Sequence, residues 1–577
     1  MERDGERDGR PFLIVCAGLG VLILGLWLYL ASFEWFSRDD FAFLAHLQRH
    51  PWSWSDTFLP LELEGRFWWA YRPIGMHGFF YLAFSLFGLN PLPYVATSVV
   101  VHAATGGIVF RLARQLGSDP RIAAVTALLA ISRAPSVADI PWASFFFYVA
   151  VNFFTVASVS VFLDFVRRGR RRDQLLSLAA FVLALGCCEV GVTLPALLLW
   201  VSLTDRGLAL AELREKLTLA LRRTAPHWIL AAAYLYFRFE LIAPVETNPL
   251  YGQSFGWHVP IHYGEQIVFL FAGVLPLAAA LGIVGACGAF ASVSARGREL
   301  LVSRTLPVVA LCCGWILVVL SPYVLLPFAV PRFSSTIEVP VALLFGAFLA
   351  VVWQLLEGRR ARVLELVLLC LVLVALPYTT LRERTREIWG AMPRQFRDVI
   401  DESHPELRVG SRIVVLYGGE RLGTSGDLEL FLKSTFSPLS FLETIHPGKQ
   451  LTFATQDVGA TPSREALCRT CLYFSFGRDL HFDPADAELV RALLLRGIGD
   501  PNYLLAARAA RELALLDGVD AIPEIVQAAR AAPAQGRSVI ALALLLIDGD
   551  EAERAAVEFI LPGRLQEARK NMRAKWR

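Results

Sequence analysis

Charge is scarce in this chain, and so are the motifs of soluble chemistry. Only 19% of the 577 residues are Asp, Glu, Lys or Arg, 55% are hydrophobic, and the mean hydropathy is +0.49. That balance excludes a soluble globular protein of this size and leaves a polytopic membrane protein. The net charge of +3 is too small to make a nucleic-acid surface, so nucleic acid is not expected as a partner. No phosphate-binding glycine loop, HExxH or serine-nucleophile elbow occurs, which leaves nucleotide-driven and hydrolytic chemistry without support. Of nine cysteines, seven (Cys16, Cys187, Cys188, Cys287, Cys312, Cys313 and Cys370) lie in or beside apolar runs, where a thiol is ordinarily a small core residue. Cys468 and Cys471 form a lone CxxC in a polar stretch, without the second pair that a zinc site needs; a structural disulfide is the simpler reading.

What is present is a series of hydrophobic runs separated by basic clusters. Residues 12 to 33 form an apolar run of 22, enough to cross about 30 Å of hydrocarbon as a helix. No small-x-small cleavage site follows it before Trp35 and Phe36, so it reads as a span and not as a removed leader. Basic clusters at 167 to 172 (RRGRRR), 206 to 223, 296 to 304 and 359 to 362 would stay on the cytoplasmic side. About 30 apolar residues, 174 to 203, separate the first two clusters, so the chain must go out and return there, turning near Cys188, Glu189 and Gly191. By the same rule 228 to 243 runs outward, 265 to 292 returns, 305 to 330 goes out, 334 to 356 returns and 363 to 380 goes out again. Runs 73 to 89 and 93 to 112 read as spans, whereas 121 to 131 is short enough to be a short span, a re-entrant helix or an interfacial one. Roughly 11 to 13 spans are expected by length.

The fold class expected is therefore a polytopic α-helical membrane protein with a soluble C-terminal region. A cytoplasmic N-terminus (1–11) leads into a transmembrane domain (12–380) whose first extracytoplasmic loop is 34–72. An extracytoplasmic α/β domain follows at 381–490, with short strand-like runs at 411 to 419 (SRIVVLYGG), 451 to 455 (LTFAT) and 471 to 477 (CLYFSFG). Residues 491–577 are Ala- and Leu-rich with helical period, and LALLDG at 513 to 518 is echoed by LLLIDG at 544 to 549, an offset of 31 that suits stacked, HEAT-like helix pairs. Short loops and a compact tail point to a bacterial inner membrane with the C-terminal domain outside the cytoplasm.

Candidate chemistry begins in the 34–72 loop. Asp39 and Asp40 follow the first span, Trp52, Trp54, Phe67, Trp68, Trp69 and Tyr71 suit the headgroup level, and Arg72 stands before Pro73. An outward carboxylate could take a proton from an acceptor hydroxyl or hold a divalent cation; it could equally cap a helix, since SRDD is good capping chemistry. A guanidinium at Arg72 could hold a phosphate in bidentate fashion, or anchor lipid headgroups. Glu189 lies in an otherwise apolar stretch and needs a partner or a wet cavity, unless it only marks a turn. His102 reads first as a helix-packing hydrogen bond. Arg332 after Pro331 is a second phosphate candidate, ahead of His258 and His262.

The order of these residues resembles the GT-C superfamily of integral-membrane glycosyltransferases. An acidic pair after the first span and a later basic-Pro motif occupy similar places in its aminoarabinose and protein O-mannosyl transferase branches. The nearer likeness is to the branch of transmembrane proteins with TPR tails, through Tyr71, Arg72 and Pro73, His102 in a span, and Glu189 before Leu194 and Pro195. The likeness covers roughly 10 to 380. Cys188 stands where that branch has Lys, Ala134 and Pro135 where it has His-Pro, and the tail lacks the 34-residue TPR period.

The resemblance implies a polyprenyl-phosphate sugar as donor and inverting transfer to an unidentified protein, lipid or glycan acceptor on the outer face. It implies Asp39 as general base, Asp40 as its partner or a metal contact, Arg72 with Tyr71 and Arg332 on the donor phosphate, and Glu189 orienting acceptor or sugar. No cofactor is certain; a divalent cation at Asp39 and Asp40 stays open. Two other classes remain: an inactive GT-C-like scaffold presenting its tail to envelope partners, and a transporter or flippase using Glu189 and His102, the latter set back by the absence of repeated halves.

Overall fold

The computed structural model describes residues 2–31, 35–37, 39–49, 57–58, 62–63, 66–67, 71–132, 142–205, 213–238, 254–271, 274–356, 387–418, 438–467, 470–477, 482–560 and 562–576, with isolated positions between 422 and 432. The chain divides into two compact units: Met1–Phe36 with His50–Glu387, and Ser37–Arg49 with Ile388–Arg577.

The first unit is a bundle of apolar helices. Among the described residues four are long and apolar enough to cross a membrane: Pro91–Gln115, Ala143–Arg168, Ala295–Val324 and Arg332–Leu355. Shorter apolar helices accompany them, among them Pro11–Gly25, Pro120–Ile131, Glu189–Thr204 and Leu277–Ser292. The 363 to 380 run lies outside the described residues, as do Ala134 and Pro135.

Ion pairs show which helix ends share a level. Arg167, in the last turn of Phe146–Arg168, donates from Nη2 to Asp205 Oδ1 at 2.9 Å and from Nη1 to the Gln115 carbonyl at 2.7 Å. Arg111 and Arg168 both pair with Asp164, at 2.5 and 3.4 Å. Gln174 reaches the Arg223 carbonyl at 3.2 Å. The ends of four helices thus meet at one basic end of the bundle, with the middle of helix Leu213–Tyr236 beside them. Gly169, at φ +70, closes helix Phe146–Arg168 so that Arg171–Cys187 can start back beside it.

The basic end also settles the hairpin read between 174 and 203. Helix Arg171–Cys187 leaves the basic end, the 3₁₀ turn Glu189–Thr193 reverses it, and Leu194–Thr204 returns to Asp205 beside Arg167. A leg of 17 residues is about 25 Å long. Glu189 therefore sits a membrane's thickness from the arginines.

Two runs behave differently from their hydropathy. Helix Pro120–Ile131, opened by Asp119 accepting from the Arg121 N–H at 2.9 Å, packs back along Pro91–Gln115 and ends where His102 meets the Ile131 carbonyl at 3.1 Å. Its 12 residues rise about 18 Å from the basic end, a short pass and not an interfacial helix. Pro73–Phe87, expected as a span, does not cross. Arg72 at its start lies over the Phe147 ring, Phe79 stacks on Phe146 at 3.9 Å, and the Gly88 carbonyl after it accepts from Tyr94. Tyr94 and Phe147 each lie about 25 Å along their helices from the Arg111–Asp164 pair. Both ends of Pro73–Phe87 are therefore held at the end opposite the basic one. Hydropathy cannot distinguish a helix that crosses from one that lies across.

Polar clasps join the passes within the bundle. Ser158, Ser177 and His227 form a buried chain, Oγ to Oγ at 2.8 Å and Ser177 Oγ to His227 Nε2 at 3.2 Å, linking three helices. Such bonds substitute for the hydrophobic drive that is missing between helices in lipid.

The second unit holds a four-stranded sheet in the order Thr452–Asp457, Arg412–Tyr417, Cys471–Phe476, Phe482–Pro484. The first three strands run parallel, with Arg412 opposite Thr452 on one side and Cys471 on the other; the fourth is antiparallel. Ile413, Val414, Val415 and Leu416 are all fully buried, as an unbroken apolar run in a central parallel strand must be. Phe396 of helix Glu387–Ser403 meets Phe441, Phe474 and Phe482, the last at 4.3 Å. Val414 and Leu416 join the core of the C-terminal helices. There the echoed sequences close Tyr503–Asp517 and the helix from Ala534 to Leu546, which pack on each other through the fully buried Leu513 and Leu544.

Helix Asp39–Arg49 belongs to this second unit. It packs on Pro438–Ile445: Phe41 meets Phe441 edge-on at 5.1 Å, the Thr444 hydroxyl donates to the Phe41 carbonyl at 3.2 Å, and Arg49 pairs with Glu443 at 2.7 Å. Part of the expected first loop is thus a component of the C-terminal unit.

Candidate functional site

Arg72 is positioned by the turn it opens. Pro73 starts a π-helical turn, Pro73–Gly78, and the wider winding places the N–H groups of both Met76 and His77 on the Arg72 carbonyl, at 3.0 and 3.3 Å. Gly75 brings this turn against the end of helix Arg171–Cys187. A Cβ there would stand 2.6 Å from the Cys187 carbonyl oxygen and 2.7 Å from Phe147 Cβ, so no larger residue fits. That approach carries the Arg72 side chain to Glu189, two residues past Cys187.

The two side chains form an ion pair. Arg72 Nε donates to Glu189 Oε2 at 2.9 Å, with the arginine side chain 8% exposed and the glutamate 29%. The guanidinium carbon lies 3.8 Å from the centroid of the Phe147 ring, a cation–π seat, and Nη1 lies 3.6 Å from Met76 Sδ. Cys188 Sγ is 3.5 Å from Glu189 Oε2. Glu189 was expected to need a partner, and Arg72 supplies one.

Around the pair stands a wall of aromatic side chains. Tyr148, next to Phe147, lies within electrostatic reach of Arg332, Arg72 and Glu189. Tyr323 stacks on Phe333 at 4.2 Å, and the Tyr148 ring is 6.4 Å from both. The Arg332 guanidinium lies 5.8 Å from the Trp142 ring and 5.7 Å from that of Phe333. Tyr234, from helix Leu213–Tyr236, completes the set within reach of Glu189 and Arg72.

Among the described residues, Glu189 Oε1 and the hydroxyls of Tyr234 and Tyr323 are buried without a hydrogen-bond partner. Each such group costs about 1–3 kcal/mol when left unpaired, so their place beside two guanidiniums makes this the candidate ligand site. The chemistry on offer is two cations for an anionic group, a carboxylate oxygen, two phenols and several aromatic faces.

The other sequence candidates fall elsewhere. Tyr71 donates its hydroxyl to the Phe58 carbonyl at 3.0 Å, its ring against His77 and Phe237, and so braces the turn. His102 is the packing clasp to Ile131. His262 Nδ1 lies 3.3 Å from the Val324 carbonyl and so docks helix His258–Leu270, and the His258 ring lies tilted 5.1 Å from that of His262 on the same helix. Asp39 and Asp40 open helix Asp39–Arg49 in the second unit; Asp40 is buried and its Oδ2 accepts from the Ser37 N–H at 3.1 Å, while Asp39 is half-buried. Among the described residues no group of three or more His, Cys, Asp or Glu is disposed to hold a metal ion. Cys471 is disulfide-bonded, and Cys468 lies outside the described residues. Trp52, Trp54, Trp68 and Trp69 also lie outside them.

The sequence reading passed over Trp142, Tyr148, Tyr234, Tyr323 and Phe333. The FFFY run at 145 to 148, at the head of a span, was the available signal. It passed over Glu338 as well, which is 2% exposed in the first turn of helix Glu338–Leu355, where the helix dipole favours a carboxylate.

Fold and site together define a multi-pass helical membrane protein with a paired arginine–glutamate centre at one end of its bundle and a soluble unit of sheet and stacked helices. No family profile and no curated protein matches the chain. Among solved structures it is similar to the crystal structure of ArnT from Cupriavidus metallidurans bound to undecaprenyl phosphate, at 13% identity and a TM-score of 0.42, covering 81% of this chain and 93% of that one.

Proposed function

We propose that this protein is a GT-C-type membrane glycosyltransferase, moving a sugar from a polyprenyl-phosphate donor to an acceptor on the extracytoplasmic face. The observation that carries the reading is the Arg72–Glu189 pair, set opposite the basic end with Arg332 and unpartnered polar atoms beside it. If the basic end faces the cytoplasm, as arginine clusters do, the pair faces outward, where lipid-linked sugars are consumed in such reactions.

In this reading Arg72 and Arg332 hold the donor phosphate. The acceptor oxygen attacks the anomeric carbon as the bond from that carbon to the phosphate oxygen breaks; a single displacement inverts the centre. The acceptor proton passes to a carboxylate, for which Asp39 is the candidate on its place in the sequence, with Asp40 as its neighbour. Polyprenyl phosphate departs with its charge held by Arg72, an interaction strengthened where water is excluded. Glu189 holds Arg72 in place and offers Oε1 to sugar or acceptor hydroxyls. Should the reaction take a divalent cation, Asp39 and Asp40 are its candidate contacts.

Native mass spectrometry of the detergent-solubilised protein, supplied with polyprenyl phosphate, tests the reading. Wild type should carry one polyprenyl phosphate and Arg72→Ala should lose it. Equal retention by both would remove the phosphate role from Arg72, and no binding by folded wild type would leave the scaffold reading in front.

A further inference from the structure

The basic end of the bundle concentrates unmatched charge along one seam, away from the Arg72–Glu189 centre. Two helices run outward side by side from that end. The Gln174 amide of Arg171–Cys187 donates to the Arg223 carbonyl of Leu213–Tyr236 at 3.2 Å, and one turn further on Ser177 Oγ lies 3.2 Å from His227 Nε2. These contacts fix which faces flank the seam. On the first helix Arg171, Leu175 and Val182 recur at i, i+4 and i+11 beside Gln174; on the second Arg223, Pro226 and Leu230 recur at i, i+3 and i+7 beside His227. Each stripe is an arginine at the basic surface followed by apolar side chains leading into the membrane.

The seam is open along one side. Leu175 is 65% and Val182 47% exposed, while Arg223, Pro226 and Leu230 are half-buried and form its floor. Its charge is open as well. Arg171, Arg172 and Arg222 are exposed, and with Arg223 they make no ion pair among the described residues, whereas Arg111, Arg167 and Arg168 of the same end are held by Asp164 and Asp205. The first turns of the two helices bring only Asp173 and Glu215 against them, so cations are in excess.

That excess stands at the membrane surface, where basic seams between helices take up anionic headgroups. Neighbouring helix axes lie about 8–10 Å apart. A lipid with one phosphate meets the arginines of one helix at a time; two phosphates joined by a short bridge meet both pairs. No internal cavity is called for, because the acyl chains stay in the bilayer against the exposed faces of Leu175 and Val182.

We propose that this seam binds one diphosphatidylglycerol of the leaflet at the basic end, with Arg171 and Arg172 on one phosphate, Arg222 and Arg223 on the other, and acyl chains along Leu175 and Val182. The site does not depend on transferase activity at the opposite end.

The test is native mass spectrometry of the full-length protein released from nanodiscs of equimolar diphosphatidylglycerol, phosphatidylglycerol and phosphatidylcholine. Wild type should retain one diphosphatidylglycerol in preference to the other two. Losing one surface cation should cut that retention about fivefold in Arg171→Gln and again in Arg223→Gln, with Arg171→Lys keeping most of it. Arg304→Gln, at an exposed position of the same end beside Ser118, should leave it unchanged. Arg171 is exposed, so its variants fold; thermal unfolding checks Arg223→Gln, and if that protein is misfolded the Arg171 variants decide alone. Equal retention of diphosphatidylglycerol and phosphatidylglycerol overturns the proposal, as does unchanged retention in Arg171→Gln. An equal loss in Arg304→Gln would also overturn it, by showing attraction to surface charge at large and no site at the seam.

Discussion

Arg72 and Glu189 lie 117 residues apart in the chain and 2.9 Å apart in the fold, each at a point where the backbone reverses or turns. Neither charge is well solvated, so each is held by the other. Removing one partner strands the second, which costs more than the pair contributes. We therefore expect Arg72→Ala and Glu189→Ala each to lower stability in detergent by about 1–3 kcal/mol, and the double variant to cost less than the two together by about 1 kcal/mol or more. Thermal unfolding of the four proteins completes the cycle; strict additivity would mean that the two charges do not interact.

The approach that makes this pair depends on two glycines facing each other across the same contact. A Cβ on Gly75 meets Cys187 and Phe147, and a Cβ on Gly186 would stand 2.5 Å from Ile74 Cδ1. Gly186→Ala should destabilise by about 1–3 kcal/mol through overpacking. Shortening the opposing side chain should relieve part of it: Ile74→Val removes Cδ1 but leaves Cγ1 at 2.8 Å, so Gly186→Ala with Ile74→Val is expected to recover part of the loss. Gly75→Ala has backbone as its obstacle and should find no such relief. The measurement is the melting temperature of the three variants, and the distinction fails if the Ile74→Val change brings no recovery.

The Arg167–Asp205 pair fixes both ends of the 171 to 204 hairpin at the basic end, and this makes topology measurable. Arg170 is exposed at that end, and Phe255, 89% exposed, precedes helix His258–Leu270, which His262 ties to Val324 near Tyr323 at the other. With the positive side cytoplasmic, Phe255→Cys should react with an impermeant thiol reagent added outside intact cells, and Arg170→Cys only after lysis. The reverse pattern would invert the protein and the proposed function with it.

Much of this was legible because charge and hydropathy constrain where a helix can end. RRGRRR and the apolar stretch after it required a hairpin turning at Glu189, and the Arg167–Asp205 pair closes it. Three of the four strands of the second unit's sheet appeared where VVL, TFA and YFSF runs lay between turn residues, since a buried parallel strand admits little else. What escaped depends on tertiary context. Pro73–Phe87 is apolar enough to cross yet is held at one end by Phe79 and Tyr94. Tyr148, Tyr234 and Tyr323 come from three helices, and no local pattern announces that their rings converge. Helix Asp39–Arg49 read as part of a loop because its partner, Pro438–Ile445, lies some four hundred residues along the chain.

Stability of the second unit should depend on pH through two histidines. Burial lowers the imidazole of His404; burial also lowers that of His446, where Asp401 at 3.5 Å opposes the shift and Lys449 adds to it. The unfolded chain therefore binds protons at these sites at higher pH than the folded unit. Stability present above about pH 6.5 is lost as pH falls through that value toward the lower folded ones. Asp401→Asn removes the group that favours the charged imidazole and widens the gap. The variant should lose more stability than wild type between pH 7 and 5, read by thermal unfolding in that interval (about the range in which histidine titrates). An equal or smaller loss would assign the acid sensitivity to other groups.

Asp39 and Asp40 are adjacent in sequence but unlike in setting, and this allows their roles to be separated. Asp40 is buried with its carboxylate on the Ser37 N–H, so it fixes the turn that opens helix Asp39–Arg49; Asp39 is half-buried. Asp40→Ala should lower stability by about 1 kcal/mol, the usual cost of losing a carboxylate that satisfies a helix start. Asp39→Asn should lower melting less than Asp40→Ala does, because an amide of the same shape occupies the same place and only the first-turn charge is lost. If Asp39 accepts the acceptor's proton, transfer of a radiolabelled sugar from its polyprenyl phosphate should fall about 100-fold or more in Asp39→Asn, the range general-base removal commonly produces. Activity surviving in that variant while Arg72→Ala abolishes it would keep the donor site and move the base elsewhere. Activity lost only in step with stability, in both aspartate variants, would reduce the pair to a helix start.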